Sequence, residues 1–436
     1  MKRYSQYNNL FGIEDKFVLY NVASDGIIVL LPKLKDILIS FSNHLQDLKD
    51  IHPNLYIALE DNQMIVEKNE IEYKRVINDW KKEDTDPQKF SITINPTMNC
   101  NLRCSYCYEK HQVGTKMLEN VMVNLKKLIE IKTRSRDLIG LNIDFFGGEP
   151  LLAFNDRVLP LLNFAKECCD KNQKDLYVSF TSNGMLLNSK VINALRLYSN
   201  VKNKVPVRFQ ITLDGDREMH NKIRIATKDK PTYDIIVTHI KEALQSGFNI
   251  SVRLNYTNES AKTFVHILRD FDSLQEEDKK LMSFDFHKIW QDSYSEKTED
   301  IIKETKEIFK EQGYHVFPLL RYQKLRCYAD KDNFIVVNYN GNLYNCTARD
   351  FMENNKEGEL SAEGDLHWNK RYLKRIAMRY GNDICHACKI FPICHGGCSQ
   401  DKLESKGLQR CIRNYTDSDI DEIIYGRLQY LLNYVK

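Results

Sequence analysis

From residue 90 to about residue 313, runs that read as strands alternate with runs that read as helices. The strands are "SITINPT", "LNIDFFGG", "LYVSFTSN", "VRFQITLDG", "NISVRLNYT" and "MSFDFHKIW". Helical spacing of apolar residues follows each of them, near 115–132, 155–172, 188–199, 234–247, 260–272 and 298–312. Repeated strand–helix units close only as a parallel sheet with right-handed helical crossovers. The alternation therefore predicts an α/β fold, a partial (β/α)6 barrel. In such sheets chemistry gathers at the carboxyl ends of the strands.

Residues 1–85 read as a separate small α+β module. "KFVLYNV" and "GIIVLL" are expected as strands about the turn "ASDG", and "PKLKDILISFSNHLQDLKDI" as helical. "NLYIALEDNQMIVEK" reads as a hairpin with Asp61-Asn62 at its turn, and "KKEDTDPQK", 81–89, as a linker. The barrel is then assigned 90–313. A loop-rich, cysteine-bearing region takes 314–436 and ends in a closing helix, "SDIDEIIYGRLQYLLNYVK". With 63 basic and 60 acidic residues the net charge is only +3, which leaves no electrostatic footprint for nucleic acid. No apolar run is long enough to cross a bilayer, and "MKRYSQYNNLFG" has no apolar stretch after its basic residues. The expectation is a soluble cytoplasmic protein. In that compartment twelve cysteines point to metal or redox chemistry rather than to disulfides.

Three of these thiols crowd into "NPTMNCNLRCSYCYEK", just after the first barrel strand, as Cys100-x3-Cys104-x2-Cys107. A tetrahedral zinc site needs a fourth ligand, for which His111 is available. An iron–sulfur cubane held by three thiolates instead keeps one iron open for a small molecule. Both readings stand on spacing alone.

Cys100, Cys104, Tyr106 and Cys107 together resemble the C-x3-C-x-aromatic-C signature of radical S-adenosylmethionine (SAM) enzymes. The ends of the following strands agree. "FFGGEP" resembles the segment that holds the methionine amino group of SAM, here Gly147, Gly148, Glu149 and Pro150. "SFTSNG" resembles the segment near SAM that would supply Ser182 and Asn183. "QITLDGDREMHNKIR" would supply Thr212 and Arg224 for the carboxylate and ribose. The resemblance implies a [4Fe–4S] cluster whose open iron binds SAM. One electron would then release a 5′-deoxyadenosyl radical that takes hydrogen from a C–H bond. Tyr106 is expected beside the cluster or adenine. The residues themselves identify no general base; Asp214 suits that role and a turn equally.

The later cysteines run Cys327-x13-Gly341-x4-Cys346, then Cys385-x2-Cys388-x5-Cys394-x3-Cys398, then Cys411. This order is similar to the seven-cysteine motif of SPASM domains, which carry two auxiliary [4Fe–4S] clusters. The resemblance gives Cys327, Cys346 and Cys398 to one cluster, and Cys385, Cys388, Cys394 and Cys411 to the other. The first lacks a fourth thiolate; it could stay open to a substrate thiol or only pass electrons. Cys168 and Cys169 remain, expected as buried fillers of the second barrel helix.

"YNNLFGIEDKFVLYNVASDGIIVL" resembles the N-terminal segments of peptide-maturing SPASM enzymes. These are often winged-helix-like modules that capture the leader of a ribosomally made peptide by adding it to a sheet edge. The strands near 17–31 and the hairpin near 55–67 would offer such an edge. The implied activity is a thioether or C–C cross-link in a precursor peptide, with a reductase, flavodoxin or ferredoxin as electron donor. Two alternatives remain. One is oxidation of a protein side chain, as in anaerobic sulfatase-maturing enzymes; those carry Asp after the second SPASM cysteine, where this chain has Thr347. The other is a zinc-bound peptide-binding scaffold without catalysis.

Overall fold

The structure is a computed structural model. It describes all residues except 201, 202, 204, 227–229, 319–321, 406–409, 435 and 436. The chain divides into two compact units. One comprises Met1–Thr85, Pro318–Lys331 and Leu373–Lys436; the other comprises Asp86–Phe317 and Asp332–Tyr372. The stretch 314–436 is thus shared between them.

In the second unit the six expected strands form: β1 (Lys89–Ile94), β2 (Gly140–Phe145), β3 (Asp175–Ser182), β4 (Arg208–Leu213), β5 (Asn249–Tyr256) and β6 (Met282–Lys288). Each pairs with the next, all in parallel. Helical segments follow at Glu119–Arg134, Leu159–Lys171, Ser189–Leu195, Tyr233–Gln245, Ala261–Phe271 and Glu296–Glu311. Outside β1 lies Phe334–Val337, also parallel to it, and three short antiparallel strands continue the sheet. The sheet is open at both ends, in keeping with a partial barrel.

Side chains alternate across each strand, and here the alternation separates apolar from polar. Phe145, Phe180, Phe209 and Phe248 stack one on the next, with ring centroids 4.7–6.1 Å apart, in the core beneath the helices. Cys168 and Cys169 are buried in that same core. The opposite face carries polar groups. Ser179 donates to Asp144 Oδ1 (2.9 Å), and Thr93 lies 3.5 Å from Oδ2.

The first unit holds a three-stranded antiparallel meander, Asn8–Ile13, Lys16–Asn21 and Ile27–Leu30. Its helices include Pro32–Phe41, Leu45–Ile51, Pro53–Asp61, Glu72–Asp84 and Asp417–Tyr434. The hairpin expected near 55–67 does not form. Pro53 sits in the first helical turn, and the His52 ring accepts from Leu55 N (3.1 Å), so a helix starts there. Leu55, Tyr56 and Leu59 fall on one buried side of it. Only Ile65–Glu67 is a strand, paired with Lys2–Tyr4. The expected linker 81–89 is likewise partly helix. Glu72–Asp84 runs into it because Asp84, wholly buried, receives two bonds from Arg326 (3.1 and 2.6 Å). Among the described residues no helix is long and apolar enough to cross a membrane.

Candidate functional site

The cysteine loop leaves the carboxyl end of β1. Its first turn is tied internally: Asn99 N donates to Thr97 Oγ1 (2.9 Å) and Met98 N to Thr115 Oγ1 (3.0 Å). Leu102–Cys104 then pairs antiparallel with Arg224–Ala226, which sets Cys104 opposite Arg224. Burial pushes the Cys100 thiol up to about 12 and the Cys107 thiol up to about 11, and it raises Cys104 as well. Cys104 raises both neighbours further, so the three sulfurs share one electrostatic environment. His111 Nε2 lies 3.5 Å from Cys107 Sγ.

The glycine pair after β2 is required by the chain's own packing. A Cβ at Gly147, whose φ is +100°, would sit 2.6 Å from Thr97 O; one at Gly148 would sit 2.2 Å from Asn99 O. Without side chains there, Gly148 N reaches Thr97 O (3.1 Å) and Glu149 N reaches Asn99 O (2.8 Å). The end of β2 is thereby clamped to the cysteine loop. Pro150 opens a short turn of helix behind it.

Glu149 is fully buried, and desolvation raises its carboxyl above the usual range. Its Oε1 accepts from Leu151 N (3.0 Å) and Ser182 Oγ (2.9 Å), and its Oε2 from Asn183 N (2.8 Å). The Asn183 amide donates to Asn101 Oδ1 (2.7 Å) and lies 3.8 Å from Cys100 Sγ. One carboxylate thus joins the ends of β2 and β3, and Asn183 extends the link to the thiols.

On the other side, Tyr106 donates to Asp214 Oδ2 (2.7 Å) and accepts from Arg224 Nη1 (3.0 Å) and Asn255 Nδ2 (3.0 Å). Arg224 Nη1 also lies 3.3 Å from Asp214 Oδ2. Asp214 N donates to His220 Nδ1 (3.3 Å), so the neutral ring carries its hydrogen on Nε2. Nε2 then donates to Thr232 Oγ1 (3.1 Å), which donates to Arg224 O (3.1 Å). This spine fixes the loop that presents Arg224. Among the described residues, Asp214 Oδ1 and Arg224 Nε have no hydrogen-bond partner although both are buried. Thr212 lies on the polar face of β4, in register with Arg253 of β5.

The C-terminal thiols are housed differently. Cys385, Cys388, Cys394 and Cys411 line one cavity of about 130 Å³ in the first unit, walled by Phe391 and Ile412. Asn382 caps the backbone N–H of Cys385 (3.0 Å). His395, Gly396 and Gly397 all have φ between +57° and +81°, and their left-handed run reverses the chain between Cys394 and Cys398. Burial first, and the three other thiols after it, push Cys394 up to about 11. Cys327 and Cys398 lie in the first unit and Cys346 in the second.

The residues fit the groups the sequence implies. Thiols raised by burial and by one another gain most from bound iron, which deprotonates its sulfur ligands outright. Among the described residues no trio of His, Cys, Asp or Glu converges as ligands of a single metal ion. The four-thiol cavity has room for a larger group, several times the space a water fills. The unpartnered atoms of Asp214 and Arg224 suit a ligand that bears both ammonium and carboxylate groups. Two parts of the site lay beyond the motifs, namely Asn255 on β5 and the pair Asp285 and His287 on β6. Their signal was the polar half of the alternation in "RLNY" and "SFDFHK".

Residues 94–271 match the sequence model of the Radical SAM superfamily. A cysteine-type anaerobic sulfatase-maturating enzyme of Clostridium novyi is 28% identical over 203 residues, 45% of this chain and 51% of that enzyme. The chain thus spans about half the length of that relative. Among solved structures, native anSMEcpe with bound AdoMet and Cp18Cys peptide superposes with a TM-score of 0.58 at 20% identity, covering 80% of this chain and 100% of that one. Streptococcus suis SuiB bound to its precursor peptide SuiA gives 0.54 at 14% identity, covering 95% and 100%. At these identities the superpositions show a shared fold. Residues 94–271 thus resemble a radical SAM domain, set on the fold these solved structures share.

Proposed function

We propose that this enzyme installs a cross-link, a thioether or a C–C bond, in a ribosomally made precursor peptide. The observation that carries the reading is the convergence of the three-thiol loop, the Glu149 clamp and the partly unpartnered Asp214–Arg224 pair at the strand ends. With a [4Fe–4S] cluster on Cys100, Cys104 and Cys107 and SAM beside it, the site would supply a radical able to take hydrogen from a C–H bond.

The chain's own residues divide the remaining work. Gly147, Gly148, Glu149 and Pro150 shape the wall for the methionine end of SAM, and Ser182 and Asn183 hold that wall rigid. Arg224, steadied by Asp214 and Tyr106, offers its unpartnered Nε to an anionic group. Thr212 lies on the strand that leads into this pair. Cys385, Cys388, Cys394 and Cys411 would hold an auxiliary cluster, which would supply electron transfer with a reductase, flavodoxin or ferredoxin as donor.

A peptide substrate is supported by the solved relatives, whose structures contain peptides. The N-terminal meander would take the leader along Ile27–Leu30, an edge strand with Val29 57% exposed. Similarity to sulfatase-maturating enzymes favours a second reading, oxidation of one side chain. Thr347 stands where those enzymes are expected to carry Asp, which counts against it. Incubation of the anaerobically reconstituted protein with SAM, reductant and a candidate precursor peptide sought among the neighbouring genes decides the matter. Mass spectrometry should show loss of two hydrogens and a new bond between two residues. Two hydrogens lost from one residue alone would favour the second reading.

A further inference from the structure

The proposed reaction requires a proton acceptor, and β6 provides a candidate that no motif marks. Asp285 and His287 are two residues apart on β6, so they project from the same face. Phe284 and Phe286, between and before them, point the other way and pack on Phe309. His287 Nε2 lies 2.6 Å from Asp285 Oδ2, and both side chains are about one quarter exposed. The pair is therefore reachable and also held.

Its surroundings lead back to the cysteine loop. In the register of β5 with β6, Arg253 stands beside Asp285 and Asn255 beside His287. Arg253 Nε donates to Asn255 Oδ1 (3.0 Å), and Asn255 Nδ2 donates to Tyr106 Oη (3.0 Å). Gln291, just beyond β6, donates to Tyr106 O (3.1 Å). The His–Asp pair thus shares the polar face on which Tyr106 and the thiols converge. The charged groups that act on Asp285 besides His287 include Arg253 on β5 and Lys306 on the following helix.

The carboxylate fixes which nitrogen can act. An ionised Asp only accepts hydrogen bonds, so the neutral ring must carry its hydrogen on Nε2. Nδ1 is then a bare lone pair, and among the described residues it has no hydrogen-bond partner. A base oriented by a second-residue carboxylate is the arrangement general-base catalysis requires.

We infer that His287, oriented by Asp285, is the general base that removes the proton released when the new bond forms in the substrate. The inference rests on the cross-linking function proposed above. A hydrogen atom is first taken from a substrate C–H bond. The carbon radical then bonds to a second substrate atom, whose X–H bond breaks as its proton goes to His287 Nδ1. The one surplus electron passes to an oxidised iron–sulfur cluster. The substrate loses one hydrogen atom, one proton and one electron, which is two hydrogens in all.

The test uses the holoenzyme and a candidate precursor peptide that the wild-type protein is found to modify. Two products are measured together, 5′-deoxyadenosine and cross-linked peptide. For His287→Gln the ratio of cross-linked peptide to 5′-deoxyadenosine should fall about 100-fold. His287→Ala should fall as far and recover at least tenfold with added imidazole, which a merely structural histidine would not allow. Peptide binding should also shield His287 from carbethoxylation by diethyl pyrocarbonate, a readout independent of turnover. An unchanged ratio in His287→Gln, or a deficit in His287→Ala that imidazole leaves untouched, overturns the role of His287. Wild-type protein that makes 5′-deoxyadenosine but never a cross-link overturns the proposed function instead.

Discussion

Cys100, Cys104 and Cys107 sit among charges, whereas Cys385, Cys388, Cys394 and Cys411 line an apolar cavity. Around the first set stand Arg224, Asp214 and Glu149, each buried and only partly satisfied by protein partners in the case of Arg224 and Asp214. Around the second stand Phe391 and Ile412. Beyond Phe391 comes Trp80 (ring centroids 4.7 Å apart), and beyond Trp80 comes Arg326, 4.9 Å from its ring and closed on Asp84. Three thiols in a polar, incompletely paired setting suit a group that must bind something else. Four thiols in a mostly apolar cavity suit a group that only exchanges electrons.

The sharpest way to break this contrast is to remove one thiol from the charged set. Cys104→Ala should reduce 5′-deoxyadenosine formation at least about 1000-fold, to background, because no other thiol can take its place opposite Arg224. The packing behind Phe391 is tested next. Asp84→Asn leaves Arg326 buried with its charge uncompensated, which should cost about 3–5 kcal/mol, read as a lowered urea midpoint. Removing a thiol from the apolar set has a milder and different signature. Cys388→Ala should lower the yield of modified peptide per 5′-deoxyadenosine about tenfold, or about 1.4 kcal/mol, when both are quantified in one assay.

The smallest effect concerns a charge on the polar face of the barrel. Burial pushes Asp144 up to about 6 from an ordinary carboxyl value. A carboxyl raised on folding contributes stability below its unfolded pKa, and that contribution is lost as pH rises through about 6. Asp144→Asn should therefore match wild type near pH 4 and exceed it by about 1 kcal/mol at pH 8, the figure being modest because Asp144 is only half-buried. Equal stabilities at both pH values would contradict the sign.

What the sequence made legible follows from how local each signal is. The six strands and their crossovers were readable because apolar residues recur with clear periods, and every strand of β1–β6 formed where the pattern placed it. The cysteine loop was readable because all three thiols lie in one segment. The helix Pro53–Asp61 was misread because "YIAL" between turn-forming residues resembles a strand; the His52 cap and Pro53 at the first turn were the better signal. Asp84 was read as part of a linker because its partner, Arg326, lies 242 residues away. The bond from Asn255 to Tyr106 spans 149 residues and rests on strand register, which composition does not reveal. The glycine pair was legible as a motif, but its packing against Thr97 O and Asn99 O was visible only in three dimensions.

The most direct test of the central claim is quantitation of 5′-deoxyadenosine from the anaerobically purified, reduced wild-type protein given SAM. A stoichiometric or greater yield, dependent on bound iron and absent in Cys104→Ala, is the predicted result. An iron-free protein that still modifies its peptide, or an iron-loaded one that never yields 5′-deoxyadenosine, would contradict it.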